Sequence, residues 1–243
     1  MSDDRYRLSF DAIAEMYEQT RPTYAPEALE FIAQRLPLKR VLDLAAGTGK
    51  LTRQLVALGA EVVAVEPGDA MRAVLERVVP EAQALSGSAE HIPLPDASVD
   101  VVTVGQAFHW FRADEAVVEM HRVLRPGGGY ALLWNQWDDD DPLLRELNAL
   151  IERLRPEGTH DSREAWEEVL NASPLFGAVE ERRFRHAERL DADTIVGRVA
   201  SVSAVAAALP KQQTRVEAQV RALVGSVEVD FPMITIVVVG DRV

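Results

Sequence analysis

Val41-Leu42-Asp43-Leu44-Ala45-Ala46-Gly47-Thr48-Gly49-Lys50 is a short apolar run that delivers an acid and two glycines into a turn, and helical spacing begins at once with Leu51. The next apolar run, Glu61-Val62-Val63-Ala64-Val65, ends on a second acid, Glu66. Strand, glycine turn, helix and strand in this order open a nucleotide-binding βαβ unit. Glycine lets the backbone approach a ligand where a Cβ would clash, and it takes positive φ without penalty. An acid at the tip of the second strand is placed to accept hydrogen bonds from ribose hydroxyls.

The remaining question is which nucleoside. A phosphate-cradling P-loop needs G-x-x-x-x-G-K-[ST], but Leu44 stands where its first glycine belongs and Leu51 where Ser or Thr belongs. A dinucleotide fingerprint needs G-x-G-x-x-G, and Thr52 occupies the third glycine position. A pyrophosphate also gains nothing from Asp43, read here as a carboxylate at the mouth of the turn. An acid there suits a ligand that is positively charged at that point. S-adenosylmethionine carries an ammonium, a sulfonium and no phosphate, so the electrostatics favour it.

Five blocks, VLDLAAGTGKLT, VVAVEP, GSAEHIPLPDASVDVV, QAFHWF and HRVLRPGGGYALLW, occur in order between about Phe10 and Trp134. In that order and spacing the chain resembles the class I S-adenosylmethionine-dependent methyltransferases of the methyltransferase type 11 family. The Phe108–Phe111 block is similar to the branch that includes trans-aconitate methyltransferase-like proteins. The resemblance implies an α/β, Rossmann-like sheet of seven strands, mostly parallel with the last antiparallel, with helices on both faces. It also implies one domain (1–243), with N-terminal helices (1–36), a cofactor-binding core (37–135) and a helical substrate lid (187–231).

The resemblance further distributes roles along the chain. Asp43 and the turn of Ala45, Gly47, Thr48 and Gly49 would hold the methionine moiety. Glu66, with Pro67 beside it, would take the ribose, and Met71 would pack on the adenine; ordinary core packing is the alternative for Met71. Ser88, Ala89 and Glu90 stand where relatives often carry Asp-Ala for the adenine edge. Ser88 is a weaker acceptor than the carboxylate it replaces, whereas the backbone donors at Ala89 and Glu90 survive the change. Gln106 would face the methionine end. Tyr17 and Arg21 are assigned to the cofactor carboxylate, which a guanidinium can grip with two parallel hydrogen bonds; a surface arginine beside Pro22 is the alternative.

Methyl transfer is an in-line displacement in which the protein aligns the reactants and excludes water. A base is needed only where the acceptor arrives protonated. His109 is the candidate base, with a pocket histidine as the other reading, and Phe108 and Trp110 are candidate walls of the substrate pocket. His91, His121, His160 and His186 show no paired metal-ligand spacing, and the Asp138–Asp141 run reads as a solvated segment ahead of a helix rather than a cation site. No metal is expected. For a carboxylic acid acceptor, Arg112, Arg198 and Arg242 are the candidate receivers.

Composition agrees. The 243 residues suffice for one α/β domain with a substantial core. A net charge of −13 argues against a nucleic-acid or anionic-membrane footprint. There are no cysteines, no apolar run of spanning length and no secretory pattern at Met1–Arg5, which together suit a cytoplasmic protein, monomer or homodimer, acting on a small molecule.

Periodicity predicts helices at Ser9–Gln19, Pro26–Arg35, Leu51–Leu58, Ala70–Val78, Asp114–Leu124, Leu143–Leu154, Arg163–Asn171, Thr194–Ala208 and Gln212–Val224. It predicts strands at Val41–Leu44, Val62–Val65, Ala82–Ser86, Val99–Val104, Tyr130–Trp134, Val179–His186 and Ile234–Val239, with Arg125–Gly129 as a turn into the fifth.

Overall fold

A computed structural model describes residues 13–155 and 163–243. His160, Phe10 and the first residues of the helix expected from Ser9 lie outside them. Seven strands are present among the described residues: β1 (Arg40–Leu44), β2 (Glu61–Val65), β3 (Gln83–Leu85), β4 (Val99–Gly105), β5 (Leu124–Trp137), β6 (Glu180–Leu190) and β7 (Val229–Asp241). They form one sheet in the order β3-β2-β1-β4-β5-β7-β6. β1 pairs in parallel with β2 and β4, β2 with β3, and β4 with β5. Arg242 N–H donates to the Gly128 carbonyl, and Asp138 N–H donates to that of Pro232. Those partners advance in opposite directions, so β7 runs antiparallel to β5. The sheet is thus mixed and mostly parallel, a Rossmann-like arrangement. The reversal of strand order between β1 and β4 creates the crevice where such sheets bind ligands.

The helices are α1 (Ala14–Thr20), α2 (Pro26–Arg35), α3 (Lys50–Ala57), α4 (Asp69–Val78), α5 (Ala113–Val123), α6 (Pro142–Glu152), α7 (Arg163–Ala172), α8 (Ala192–Ala200), α9 (Ser203–Ala206) and α10 (Pro210–Val224). The described chain divides into two compact units of three segments each. Residues 23–135, 163–184 and 235–243 form one, here the core unit. Its interior joins Leu29 and Ile32 of α2 to Leu51 and Leu55 of α3 and to Val41, Val62, Val101, Leu133 and Val237 of the strands. These strands are continuously apolar because both of their faces are covered. Residues 13–22, 136–155 and 185–234 form the other, the helical unit. There Leu144, Leu147 and Ile151 pack with Ile195, Val199, Val216, Val220 and Phe231. The two N-terminal helices, read together in the sequence as residues 1–36, fall in different units.

The differences from the sequence reading have local causes. Arg125–Gly129 is not a turn ahead of a strand. β5 starts at Leu124 opposite Val99, and Val101 already faces Gly129, so the intervening residues form a bulge within the strand. The single helix expected over Thr194–Ala208 is two. The Ser201 hydroxyl folds back onto the Arg198 carbonyl at 2.8 Å, and Val202 is extended with ψ 134°. β6 runs past the expected end at His186 to Leu190. It is an edge strand, and Arg183, Arg185 and Arg189 alternate along one exposed face, where such charges discourage pairing with another chain.

The Asp138–Asp141 run serves α6. The Asp141 carboxylate accepts from Leu143 N–H (2.8 Å) and Leu144 N–H (3.1 Å), with Pro142 at the first helical position. Asp138 and Asp140 pair with Arg185, and Asp139 accepts from the Asn148 amide. No metal-binding cluster of acids or histidines occurs among the described residues. Asp141→Ala should cost about 1 kcal/mol in urea unfolding, whereas Asp140→Ala, which removes an exposed ion pair, should change stability by less than about 0.5 kcal/mol.

Candidate cofactor site

The carboxyl-terminal tips of β1, β2 and β4 lie side by side, with Asp43 paired to Ala64 and Thr103 in parallel register. Two residues other than glycine adopt left-handed backbone here: Ala45 (φ 55°) after β1 and Gln106 (φ 58°) after β4. Such conformations cost energy and persist where the surroundings hold them, commonly at ligand sites. Gly47 (φ 58°) and Gly49 (φ 87°) complete the turn, and they do different work. A Cβ on Gly49 would press on Leu75 of α4 and on Val79, which caps that helix, at 3.1 Å, so this glycine serves helix packing. A Cβ on Gly47 would meet no protein atom within 4 Å, so this glycine leaves room for a ligand.

Asp43 is not at the mouth of the turn. It is 1% exposed and lies beneath it. Its Oδ2 accepts from the Thr52 hydroxyl at 2.6 Å, and its Oδ1 accepts from that of Thr103 at 3.1 Å. Thr52, the residue that spoils a dinucleotide fingerprint, therefore orients this acid. Burial pushes the Asp43 carboxyl up to about 7, against the hydrogen bonds from Thr52 and Thr103 and with help from the negative charge of Glu66. A cationic group on a ligand would favour the ionised form.

Glu66 is nearly buried, and each of its carboxylate oxygens holds a different loop. Oε2 accepts from Gly47 N–H and Oε1 from Gly68 N–H, both at 2.8 Å. Arg72, which the sequence reading passed over, donates to the Glu66 carbonyl (3.0 Å) and pairs with Asp69. Pro67 lies between the two bonds, and Met71 is buried in the first turn of α4.

The loop after β3 is fastened at two points. The Glu90 carboxyl would rise through burial, but donors from Arg112 N–H, its own N–H and the Ser88 hydroxyl, with the Arg112 charge, hold it below the usual range. The Ser88 hydroxyl is thus engaged by Glu90, and Ala89 between them is 4% exposed. Farther along, Arg122 donates to the carbonyls of Ile92 and Leu94 and pairs with Glu119 and Asp96. Gln106 donates its side-chain amide to the Asn135 carbonyl at 3.0 Å. Phe108, in a short 3-10 turn with His109 and Trp110, is 1% exposed and packs on Phe111, with ring centroids 5.5 Å apart. His109 and Trp110 are half-buried, with ring centroids 4.8 Å apart and planes tilted by 47°.

Tyr24 also escaped the sequence reading. Its backbone forms a reciprocal pair with the Gln54 amide (3.0 and 2.8 Å), and its hydroxyl lies against Gly105 at the tip of β4. Its sequence signal is the segment Arg21-Pro22-Thr23-Tyr24. Tyr17 and Arg21 belong to the helical unit, with Arg21 5.0 Å over the Tyr17 ring.

The core unit therefore fits a nucleoside carrying positive charge and no phosphate. Two buried acids occupy the strand tips, the backbone opens at Gly47, and the Thr48 hydroxyl is buried without a partner. Residues 42–132 match the methyltransferase domain family. An uncharacterized methyltransferase of Mycobacterium tuberculosis is 49% identical over 146 residues, 60% of each protein. A malonyl-[acyl-carrier protein] O-methyltransferase of Methylococcus capsulatus is 43% identical over 101 residues, 39% of this chain and 37% of that protein. Among solved structures, one described as a type II methyltransferase of Anaeromyxobacter dehalogenans has a TM-score of 0.70 at 26% identity, covering 91% of this chain and 97% of that one. Residues 42–132 thus carry a methyltransferase domain, whose cofactor is S-adenosylmethionine. The chain spans about 60% of the length of the curated relatives it matches first.

Asp43 makes stability depend on pH. Its folded-state pKa lies above the unfolded value, so its contribution is full below about pH 4 and is lost as pH rises through about 7. Asparagine can replace it, because threonine hydroxyls can reverse from donor to acceptor. The unfolding free energy of the cofactor-free protein minus that of Asp43→Asn should fall between about pH 4 and pH 7, by up to about 4 kcal/mol. Parallel pH profiles would show that Asp43 titrates normally.

Proposed function

We propose that this protein transfers the methyl group of S-adenosylmethionine to an oxygen of a small-molecule acceptor. The observation that carries the reading is the pair of buried acids, Asp43 and Glu66, on either side of the open backbone at Gly47. The cofactor supplies an electrophilic methyl group on a sulfonium; the rest falls to the protein. A carboxylate oxygen can accept more than one hydrogen bond, and Glu66 would accept the ribose hydroxyls beside its two glycine donors. Asp43 would answer the ammonium through the turn of Ala45, Gly47, Thr48 and Gly49. Met71, with the backbone of Ser88, Ala89 and Glu90, would hold the adenine, and Gln106 the methionine end. His109 would take a proton from an alcohol acceptor, and Trp110 would line the pocket beside it; a carboxylate acceptor would need no base.

Oxygen is favoured as the nucleophile because the relative from Methylococcus capsulatus is named an O-methyltransferase. Nitrogen or carbon acceptors are the second reading. No helix among the described residues is long and apolar enough to cross a membrane.

Calorimetry separates this reading from its rivals. S-adenosylhomocysteine should bind and NAD should not; binding of NAD alone would overturn the proposal. Glu66→Gln should weaken S-adenosylhomocysteine at least tenfold, about 1.4 kcal/mol. Both Glu66 oxygens accept from backbone N–H groups that cannot reverse, so the new amide must face one of them. Undiminished affinity would remove Glu66 from the site.

A further inference from the structure

Asn135, near the end of β5, makes contacts in two directions within the core unit. Its carbonyl accepts from the Gln106 side-chain amide, and Gln106 carries the left-handed backbone that follows β4. Its side chain grips the segment ahead of α2. Nδ2 donates to the Thr23 carbonyl at 2.9 Å, and Oδ1 accepts from the Thr235 hydroxyl of β7 at 2.5 Å. That hydroxyl in turn accepts from Ala25 N–H at 3.0 Å. The Thr23 carbonyl can only accept, so the Asn135 amide has one workable orientation. Tyr24, between Thr23 and Ala25, is clasped by Gln54 of α3, so three elements hold three successive residues. Together they place the Tyr24 side chain. It is buried, and its hydroxyl occupies the position that a Cβ on Gly105 would take. Gly105 and Thr103 are two residues apart on β4 and share a face. The Tyr24 hydroxyl therefore continues, towards the strand tip, the row that begins with Asp43 and the Thr103 hydroxyl.

We propose that Asn135 is a positioning residue for the amino-acid end of the cofactor, acting through the Gln106 turn and the Tyr24 hydroxyl that it holds against the tip of β4. The proposal rests on the reading above that puts Gln106 at the methionine end. A residue other than glycine keeps a left-handed backbone only where its surroundings hold it, and the Asn135 carbonyl supplies part of that hold. The Asn135 side chain ties the same strand end to the segment carrying Tyr24, so the two parts of the wall keep one spacing. Asn135→Asp preserves the shape but turns an oxygen towards the Thr23 carbonyl. Two acceptors then face each other, and the strand end and the segment part, taking Gln106 and Tyr24 with them. The ribose and adenine ends are held by other groups, Glu66 on Gly47 and Gly68, and Glu90 on Arg112. The effect should therefore be confined to the part of the ligand beyond the sulfur.

The test is calorimetry of the full chain with two ligands, S-adenosylhomocysteine and 5′-methylthioadenosine, the second of which keeps the nucleoside and sulfur but lacks the amino-acid end. Asn135→Asp should weaken S-adenosylhomocysteine at least tenfold and leave 5′-methylthioadenosine within about twofold of wild type. Thr235→Val, which removes the hydroxyl between Ala25 and Asn135, serves where Asn135→Asp does not fold, and it should split the two ligands in the same direction. Thr235→Ser, which restores the hydroxyl, should recover most of that loss. An equal loss for both ligands would make Asn135 a structural residue only and overturn the proposal. Undiminished S-adenosylhomocysteine affinity in Asn135→Asp, with a loss in Gln106→Ala, would overturn it while leaving Gln106 at the methionine end. Wild type that binds neither ligand would instead sink the methyltransferase reading.

Discussion

The bidentate use of Glu66 is the constraint on which the site depends. One oxygen holds the glycine turn after β1 and the other holds the loop that starts α4, so a single carboxylate fixes two backbone segments. Arg72 fixes the same residue from its carbonyl side. A ligand meeting this arrangement finds its acceptors already oriented, which lowers the ordering cost of binding. Asp43 adds a second form of preorganisation from beneath. Its two threonine partners aim the carboxylate, while burial leaves its charge responsive to what binds above.

Much of this was legible in the sequence because the relevant signals are local. Apolar runs with no alternation gave the buried parallel strands, and the two glycines with Asp43 and Glu66 marked the turn and the strand tips. What the sequence withheld depends on three-dimensional pairing. Asp43 was legible as an acid at the site but not as a buried one, because its depth follows from Thr103 on the neighbouring strand, sixty residues away. Thr52 looked like a missing glycine until its hydroxyl was placed. The bulge at Arg125–Gly129 was hidden because Pro and Gly also mark turns, and only the register against β4 distinguishes the two. The split of the two N-terminal helices between units has no local signature, since both carry the same apolar spacing.

The division of the chain has a consequence for its synthesis. Each unit is assembled from three separate stretches, and α1 finds its partner in α8, with Arg198 bonded to the Thr20 carbonyl across 178 residues. A ribosome delivers α1 first, long before α8 emerges, so that helix must wait with its apolar face uncovered. The core unit likewise closes only when residues 235–243 arrive to fill the slot beside β5. Neither unit can therefore be released by one cut, and neither can finish folding before its most distant segments have been made. β7 is shared, with residues 229–234 in one unit and 235–241 in the other, so loss of that one strand would leave both halves unfinished.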